Sequence, residues 1–82
     1  MEIKILGTGC PKCKMLEENV MDAVNMLGVN AQVLKVSDIN DIMEYNVMLT
    51  PGLVINEKVK AAGRVLNTKE IKALIQDEQQ NP

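Results

Sequence analysis

The chain has 82 residues, 46% of them hydrophobic, which is typical of one small folded domain and excludes a disordered segment. Nine basic and eleven acidic residues give a net charge of −2 without a basic block, and Tyr45 is the only aromatic residue, which argues against a nucleic-acid interface. No apolar run approaches the ~20 residues that cross a bilayer, and the start "MEIKILGTG" lacks the pattern of a signal peptide, so we expect a cytosolic protein without a membrane contact.

A strand, a long helix and a second strand are predicted in the first half of the chain. Residues 2–6, "EIKIL", alternate apolar and charged positions like a half-buried strand and end at a Gly-Thr-Gly turn. The helix should begin at Pro11, which fits the first helical position, and end at Gly28. Its apolar stripe recurs at spacings of three and four residues, through Cys13, Leu16, Val20, Val24 and Leu27. Residues 31–36, "AQVLKV", then predict the second strand.

A short second helix and a β-hairpin follow. The helix should be capped by Ser37 or Asp38 and run through about Tyr45, with inward-facing residues Ile39, Ile42 and Met43. After a turn at Thr50-Pro51, the apolar run 53–55 and the segment "KVKAAG" pair through a tight connection at Asn56-Glu57. In a regular strand of this hairpin, Val59 and Ala61 share one face, and Lys58 and Lys60 discourage pairing of an exposed edge.

The end of the chain predicts a third helix and a frayed tail. Asn67 or Thr68 caps the helix, which buries Ile71, Leu74 and Ile75, and residues 78–82 should fray. The order β-α-β-α-β-β-α predicts an α/β fold with a four-stranded mixed sheet and helices on both faces. We expect residues 1–77 to form a single domain.

The only two cysteines lie in the segment "GTGCPKC" and differ in environment. Cys10 precedes the helix, whose unpaired N–H groups and positive dipole end stabilise a thiolate, and Lys12 and Lys14 add positive charge. Cys13 lies one turn on, within disulfide reach, and continues the apolar stripe, so it should be shielded. An exposed thiol with a low pKa beside a buried partner is the arrangement of thiol–disulfide exchange, in which Cys10 attacks and Cys13 resolves.

Other roles for the two thiols are weaker but not all excluded. A structural disulfide closing so short a loop contributes only ~2 kcal/mol and is unusual in the cytosol. Zinc needs about four ligands, and the chain has two cysteines and no histidine. A two-thiolate site for Cu(I) remains the rival function, although copper-carrier domains of this size end in a strand rather than a helix. A binding module without redox turnover is a third possibility. The preferred function requires no metal and no cofactor.

"CPKC" after a strand, together with "TPGLVIN" some forty residues later, resembles the thioredoxin/glutaredoxin superfamily, and in particular its small archaeal and bacterial redox-active disulfide proteins. The resemblance covers roughly residues 3–75. It implies that Cys10 is the nucleophile, that Cys13 is the resolving thiol, and that Thr50-Pro51 is a cis peptide bond beside them where a substrate strand binds. It further implies a disulfide-containing substrate protein, a reductase or dithiol donor that restores the thiols, and a monomer.

The chain departs from the superfamily pattern at three places. Gly9 replaces the tryptophan that usually precedes the nucleophile, and Lys4 replaces the buried acid six residues before it. The proton acceptor for Cys13 is therefore undefined by the resemblance. A single glycine, Gly63, followed by Arg64 replaces the Gly-Gly turn and acidic residue of glutathione-binding members, so glutathione binding is not expected.

Overall fold

Seven elements follow one another in the predicted order. The computed structural model of the protein describes residues 1–81, and Pro82, the last residue of the predicted frayed tail, lies outside them. The elements are β1 (Glu2–Leu6), α1 (Pro11–Leu27), β2 (Gln32–Val36), α2 (Ile39–Glu44), β3 (Gly52–Ile55), β4 (Lys58–Ala62) and α3 (Thr68–Gln80). Among residues 1–81, no helix has both the length and the apolar character needed to cross a membrane.

The four strands form one mixed sheet in the order β2-β1-β3-β4. β1 and β2 are parallel, whereas β3 is antiparallel to both β1 and β4. The register pairs Gly52 with Leu6 on one side and with Ala62 on the other. The end of β1, the start of β3 and the end of β4 therefore lie side by side at the same end of the sheet.

Helices cover both faces of the sheet, which confirms the predicted α/β architecture. Alternate residues of β1 and β3 face α1 and α3 and form the larger core, which contains Ile3, Ile5, Leu16, Val20, Leu53, Ile55, Ile71 and Ile75. Their neighbours in the strands face α2 and form a smaller core of Leu6, Ile42, Val47 and Val54. Every residue of β3 is buried, because helices cover the strand on both faces. Its sequence therefore shows no alternation of polar and apolar residues, unlike a strand with one face in solvent.

The helix ends follow local rules. The α1 helix has proline at its first position and ends at Gly28, whose φ of 64° is in the left-handed region that glycine adopts without strain. α3 begins with a reciprocal capping box, in which the Asn67 side chain accepts the Glu70 N–H and the Glu70 carboxylate accepts the Asn67 N–H.

The prediction for α2 was wrong in part. Ile42 is buried as expected, but Ile39 and Met43 are 62% and 59% exposed. The helix has only six residues, so it makes fewer than two turns and buries a single side chain against the sheet.

The hairpin prediction was also wrong in one respect, because Val59 and Ala61 do not share a face. The strands β3 and β4 shift register between Leu53 and Val54, so that Val54 pairs with Val59 and Leu53 with Ala61. Leu53 and Val54 face opposite cores, and the extra residue on β4 is therefore a β-bulge at Lys60. The connection itself is tight, with Asn56 and Glu57 at φ values of 50° and 66°, as in a type I′ turn.

The prediction that the chain frays from residue 78 was wrong, because residues 78–80 belong to α3. The helix continues to Gln80, and the side chain of Glu78 is only 2% exposed. Its two carboxylate oxygens lie 3.0 Å and 3.3 Å from the ammonium groups of Lys58 and Lys60 on β4. These ion pairs anchor the last turn of the helix to the hairpin.

Candidate active site

The two cysteines lie where β1 leaves the sheet and α1 begins. Cys10 is the N-cap residue of α1, and its Sγ accepts a hydrogen bond from the backbone N–H of Cys13 at 3.3 Å. Cys10 is half-buried, whereas Cys13 is 5% exposed and lies on the buried stripe of the helix. The structure therefore gives the two thiols the unequal accessibility that the sequence predicts, with Cys10 on the outside.

The pKa values of the two thiols move in opposite directions. The pKa of Cys10 is lowered, chiefly by the hydrogen bond that the Cys13 thiol donates to its sulfur and then by the backbone N–H of Cys13. The pKa of Cys13 is raised, mainly by burial and then by the same thiol–sulfur hydrogen bond. The two shifts favour the thiolate at Cys10 and the protonated thiol at Cys13 in the reduced pair.

The three residues predicted to tune the pKa of Cys10, Pro11, Lys12 and Lys14, differ in how they are placed relative to its thiol. Pro11 occupies the first position of α1 and is exposed. Lys12 favours the Cys10 thiolate through a backbone hydrogen bond, a contribution to its lowered pKa that does not come from the charged side chain. Lys14 is exposed and lines a cavity that Cys13 also lines.

The Thr50-Pro51 segment lies beside the thiols, as the resemblance implies. The bond is cis, Thr50 is exposed, and Pro51 is buried. The Pro51 carbonyl accepts a hydrogen bond of 2.9 Å from the N–H of Gly63, just after β4. The strand register explains why Pro51 lies close both to the end of β1 and to Gly63, since the next residue, Gly52, pairs with Leu6 and with Ala62.

Gly7 is a site residue that the sequence analysis missed. A Cβ atom at this position would lie 2.3 Å from the Cys13 Sγ and 4.0 Å from the Thr50 Cβ. Because Gly7 has no side chain, the Cys13 thiol can pack against the end of β1. The only sequence signal was a glycine three residues before the first cysteine, which also fits an ordinary turn.

Lys4, which stands where the superfamily carries a buried acid, lies on the sheet face covered by α2. Its ammonium group donates to the Glu57 carboxylate at 2.6 Å and to the Tyr45 hydroxyl at 2.7 Å, and Tyr45 donates in turn to Glu57 at 2.8 Å. These contacts raise the pKa of Lys4 and lower that of Glu57. The cluster joins β1 to the turn of the β3–β4 hairpin, so Lys4 has a structural role and supplies no base to Cys13.

Exposed apolar side chains surround the Thr50 side of the site. Met48 and Leu49 are 88% and 68% exposed, and both directly precede Thr50. Ile39, Met43 and Met48 line an open cavity of about 320 Å³ that also touches Thr8 and Thr50. We call these four residues, Ile39, Met43, Met48 and Leu49, the apolar rim. Contiguous exposed apolar side chains of this kind mark surfaces that contact another molecule.

Metal-ligating side chains are sparse around the thiols. Within residues 1–81, no three or more Cys, Asp or Glu residues form a group able to hold a metal ion. Within this described part of the chain, a metal at this position would therefore have at most two such ligands, the thiolates of Cys10 and Cys13.

An accessible thiol with a lowered pKa, a buried partner thiol one helical turn away and a neighbouring cis-proline are the arrangement of a thiol–disulfide oxidoreductase. The family model of the thioredoxin domain matches residues 1–76. The chain is 44% identical to a thioredoxin of Methanocaldococcus jannaschii, over 85% of this chain and 80% of that protein. It is 40% identical to a thioredoxin of Methanothermobacter thermautotrophicus, over 92% of this chain and 97% of that protein. The chain belongs to the thioredoxin family.

Proposed function

We propose that the protein reduces or exchanges disulfides of other proteins through the Cys10–Cys13 pair, as a thioredoxin-like reductant in the cytosol. The observation that carries the proposal is the hydrogen-bonded pair itself. Cys10 is accessible and has a lowered pKa, while Cys13 is buried and has a raised one. Only the first can meet a substrate as a thiolate, and the second can act only after the substrate is attached.

The reaction proceeds in two exchanges. The Cys10 thiolate attacks one sulfur of the substrate disulfide, a Cys10–substrate disulfide forms, and the other substrate sulfur leaves as a thiolate. Cys13 then loses its proton and attacks the Cys10 sulfur, which forms the Cys10–Cys13 disulfide and releases the second substrate thiolate. Protons from the solvent and from Cys13 convert the two released thiolates to thiols. A reductase or dithiol donor restores the enzyme, and no cofactor or metal takes part.

The Thr50-Pro51 segment holds the substrate while its sulfur is bonded to Cys10. Thr50 is exposed beside Cys13, and Pro51 is buried and tied to Gly63. An extended substrate strand can pair with exposed backbone at this position, as in other cases of strand addition. The apolar rim next to Thr50 supports a protein substrate rather than a small polar one, because apolar contact area contributes little to binding a small polar molecule.

Two serine variants test this mechanism. Cys10→Ser should abolish reduction of a protein disulfide, because it removes the attacking thiolate. Cys13→Ser should instead accumulate a covalent complex with the substrate that a dithiol reagent cleaves, since the first exchange proceeds and the second cannot. The measurement is the rate of disulfide reduction, together with non-reducing electrophoresis of the two mixtures.

Each variant is the control for the other, because each removes one sulfur from the same pair. A complex that accumulates with Cys10→Ser rather than with Cys13→Ser would overturn the assigned roles. Wild-type protein that reduces no protein disulfide but binds one Cu(I) per chain would make it a metal carrier. Unchanged partner binding by the double serine variant, without turnover by the wild type, would make it a binding module.

A further inference from the structure

The second exchange requires a proton to leave Cys13, and the structure makes this step difficult. Cys13 is 5% exposed, and burial raises its pKa. Lys4 offers no base, since its ammonium group is bound to Glu57 and Tyr45 on the opposite face of the sheet. A route for the proton must therefore be sought on the α1 side of Cys13.

A cavity of about 200 Å³ lies on that side of Cys13, between α1 and the strands β1 and β2. Its uncharged wall includes Cys13 itself, Ile5 of β1 and Gly7, which directly follows β1. Its charged groups are Lys14, Glu17 and Glu18 of α1 and Lys35 of β2. The cavity has the volume and the polar groups to hold several water molecules, so a proton can cross it along hydrogen bonds.

Glu17 is the carboxylate best placed to receive that proton. It follows Cys13 by four residues, so it lies one turn further along the same side of the helix, about 40° around the axis from Cys13. Its side chain is 30% exposed, and its Oε2 lies 3.5 Å from the Lys35 ammonium on β2. That contact directs the carboxylate across the cavity towards the sheet.

Glu18 also lines the cavity but is oriented differently. It is exposed, and it lies about 140° around the helix axis from Cys13. Glu18 is therefore a suitable control for Glu17, because it carries the same charge and lies at the adjacent position of the same helix.

We propose that Glu17 accepts the proton of Cys13, through water in this cavity, as Cys13 attacks the Cys10–substrate disulfide. The Cys13 S–H bond breaks and the proton passes to the carboxylate, while the Cys10–Cys13 bond forms and the substrate thiolate leaves. The proton then passes to the released thiolate or to solvent. A carboxylate is a much stronger base than water, and a positioned general base typically accelerates a step by about 10²–10⁴-fold. The inference rests on the proposed function, because it concerns its second exchange.

The test separates the two exchanges in one measurement. The substrate is an aromatic disulfide that releases a coloured thiolate at each exchange, so the full-length chain gives two phases of colour. Cys13→Ser can carry out only the first exchange, so the phase that it retains is the first one. We expect Glu17→Gln to leave the first phase unchanged and to slow the second by about tenfold or more at neutral pH. The difference should shrink at alkaline pH, where Cys13 ionises without a base. Glu18→Gln should match the wild type.

The outcomes distinguish the inference from the proposed function. A wild-type chain without the first phase would overturn the proposed function. A normal first phase with an unchanged second phase in Glu17→Gln would overturn the role of Glu17 alone. So would equal slowing by Glu18→Gln, which would indicate an effect of net charge. Slowing that persists unchanged at alkaline pH would indicate a merely structural effect of Glu17 and would also overturn the proposal. An unchanged rate of the first phase, which depends on the lowered pKa that Cys10 has in the folded chain, serves as the internal check that each variant is folded.

Discussion

The different environments of Cys10 and Cys13 arise from single residue positions. Cys10 caps α1 and receives hydrogen bonds from the backbone, while Cys13 occupies a buried position of the same helix three residues later. The sequence predicts both environments, because the proline at residue 11 marks the start of the helix and the spacing of apolar residues marks its buried side. The sequence does not predict the hydrogen bond from the Cys13 thiol to the Cys10 sulfur, since that contact depends on side-chain geometry.

Gly7→Ala should disturb the resolving thiol directly. The new methyl group would lie 2.3 Å from the Cys13 Sγ, so the thiol must move away from the end of β1. We expect a several-fold slower closure of the Cys10–Cys13 disulfide and a loss of about 1–3 kcal/mol of stability from overpacking. The measurements are the second phase with the aromatic disulfide and the free energy of unfolding in urea.

Gly28→Ala is the matched control for this prediction. An added Cβ at Gly28 meets no atom within 4 Å, but its φ of 64° costs an alanine about 1–2 kcal/mol. This variant should lose similar stability and retain the thiol kinetics of the wild type. Equal slowing in both variants would mean that Gly7 affects the thiols only through general destabilisation.

At the scale of elements, the regular parts of the fold were predictable and their irregularities were not. The apolar stripe of α1 and the Asn-Glu turn of the hairpin were identified from spacing and turn chemistry. The bulge at Lys60 was not, because one extra residue in a five-residue strand leaves the pattern of residue types ambiguous. Lys58 pairs with Ile55 and so lies on the sheet face that α3 covers. The sequence analysis assigned Lys58 and Lys60 only to an exposed edge, so it missed their partner and treated Glu78 as part of a frayed tail.

The Glu78 ion pairs make the end of α3 sensitive to pH. Because Lys58 and Lys60 lower the pKa of Glu78 in the folded protein, the stabilisation is present above the pKa of an unfolded glutamate, about 4.3, and is lost as the pH falls through the lower folded value. Glu78→Gln should therefore lower the midpoint of thermal unfolding by several degrees at neutral pH, and the difference from wild type should vanish under acid conditions.

Thermal unfolding of both proteins between neutral pH and about pH 3 measures this difference. Glu44→Gln, at an exposed carboxylate at the end of α2, is the control for the loss of one negative charge. A difference between wild type and Glu78→Gln that stays constant with pH would show that packing, and not the ion pairs, accounts for the effect.

On the scale of the whole molecule, the site is a product of topology. The antiparallel register brings the end of β1, the start of β3 and the end of β4 together, so segments more than forty residues apart in sequence lie side by side. Only the resemblance predicted that Thr50-Pro51 lies near the cysteines, because residues so far apart in sequence carry no local signal of their proximity. The extent of the apolar rim was not predictable, because Ile39 and Met43 have the spacing of core residues.

The apolar rim should matter for protein substrates and not for small ones. Met48 is 88% exposed beside Thr50, so Met48→Lys should leave the site intact while placing a charge in the surface that we propose contacts a protein substrate. We expect a loss of about five- to tenfold in kcat/KM for a protein disulfide, equivalent to the ~1 kcal/mol or more of an interface contact. The rate with the small aromatic disulfide should not change.

Met26→Lys is the control, since Met26 is also a methionine, is 65% exposed, and lies near the opposite end of α1. It introduces the same charge without touching the rim. Equal losses in the two variants, or an equal loss with the aromatic disulfide, would contradict a role of the rim in holding protein substrates.

The hydrogen-bonded cluster of Lys4, Tyr45 and Glu57 has a spectroscopic consequence. Tyr45 is the sole aromatic side chain of the chain, and its hydroxyl is bound to both of the other residues on the sheet face away from the thiols. Ultraviolet emission from the protein therefore comes from one phenol ring that joins β1 to the hairpin turn. We expect this emission to change when the sheet comes apart, because unfolding removes both hydrogen bonds of the Tyr45 hydroxyl, so the unfolding of the sheet can be followed optically through a single side chain.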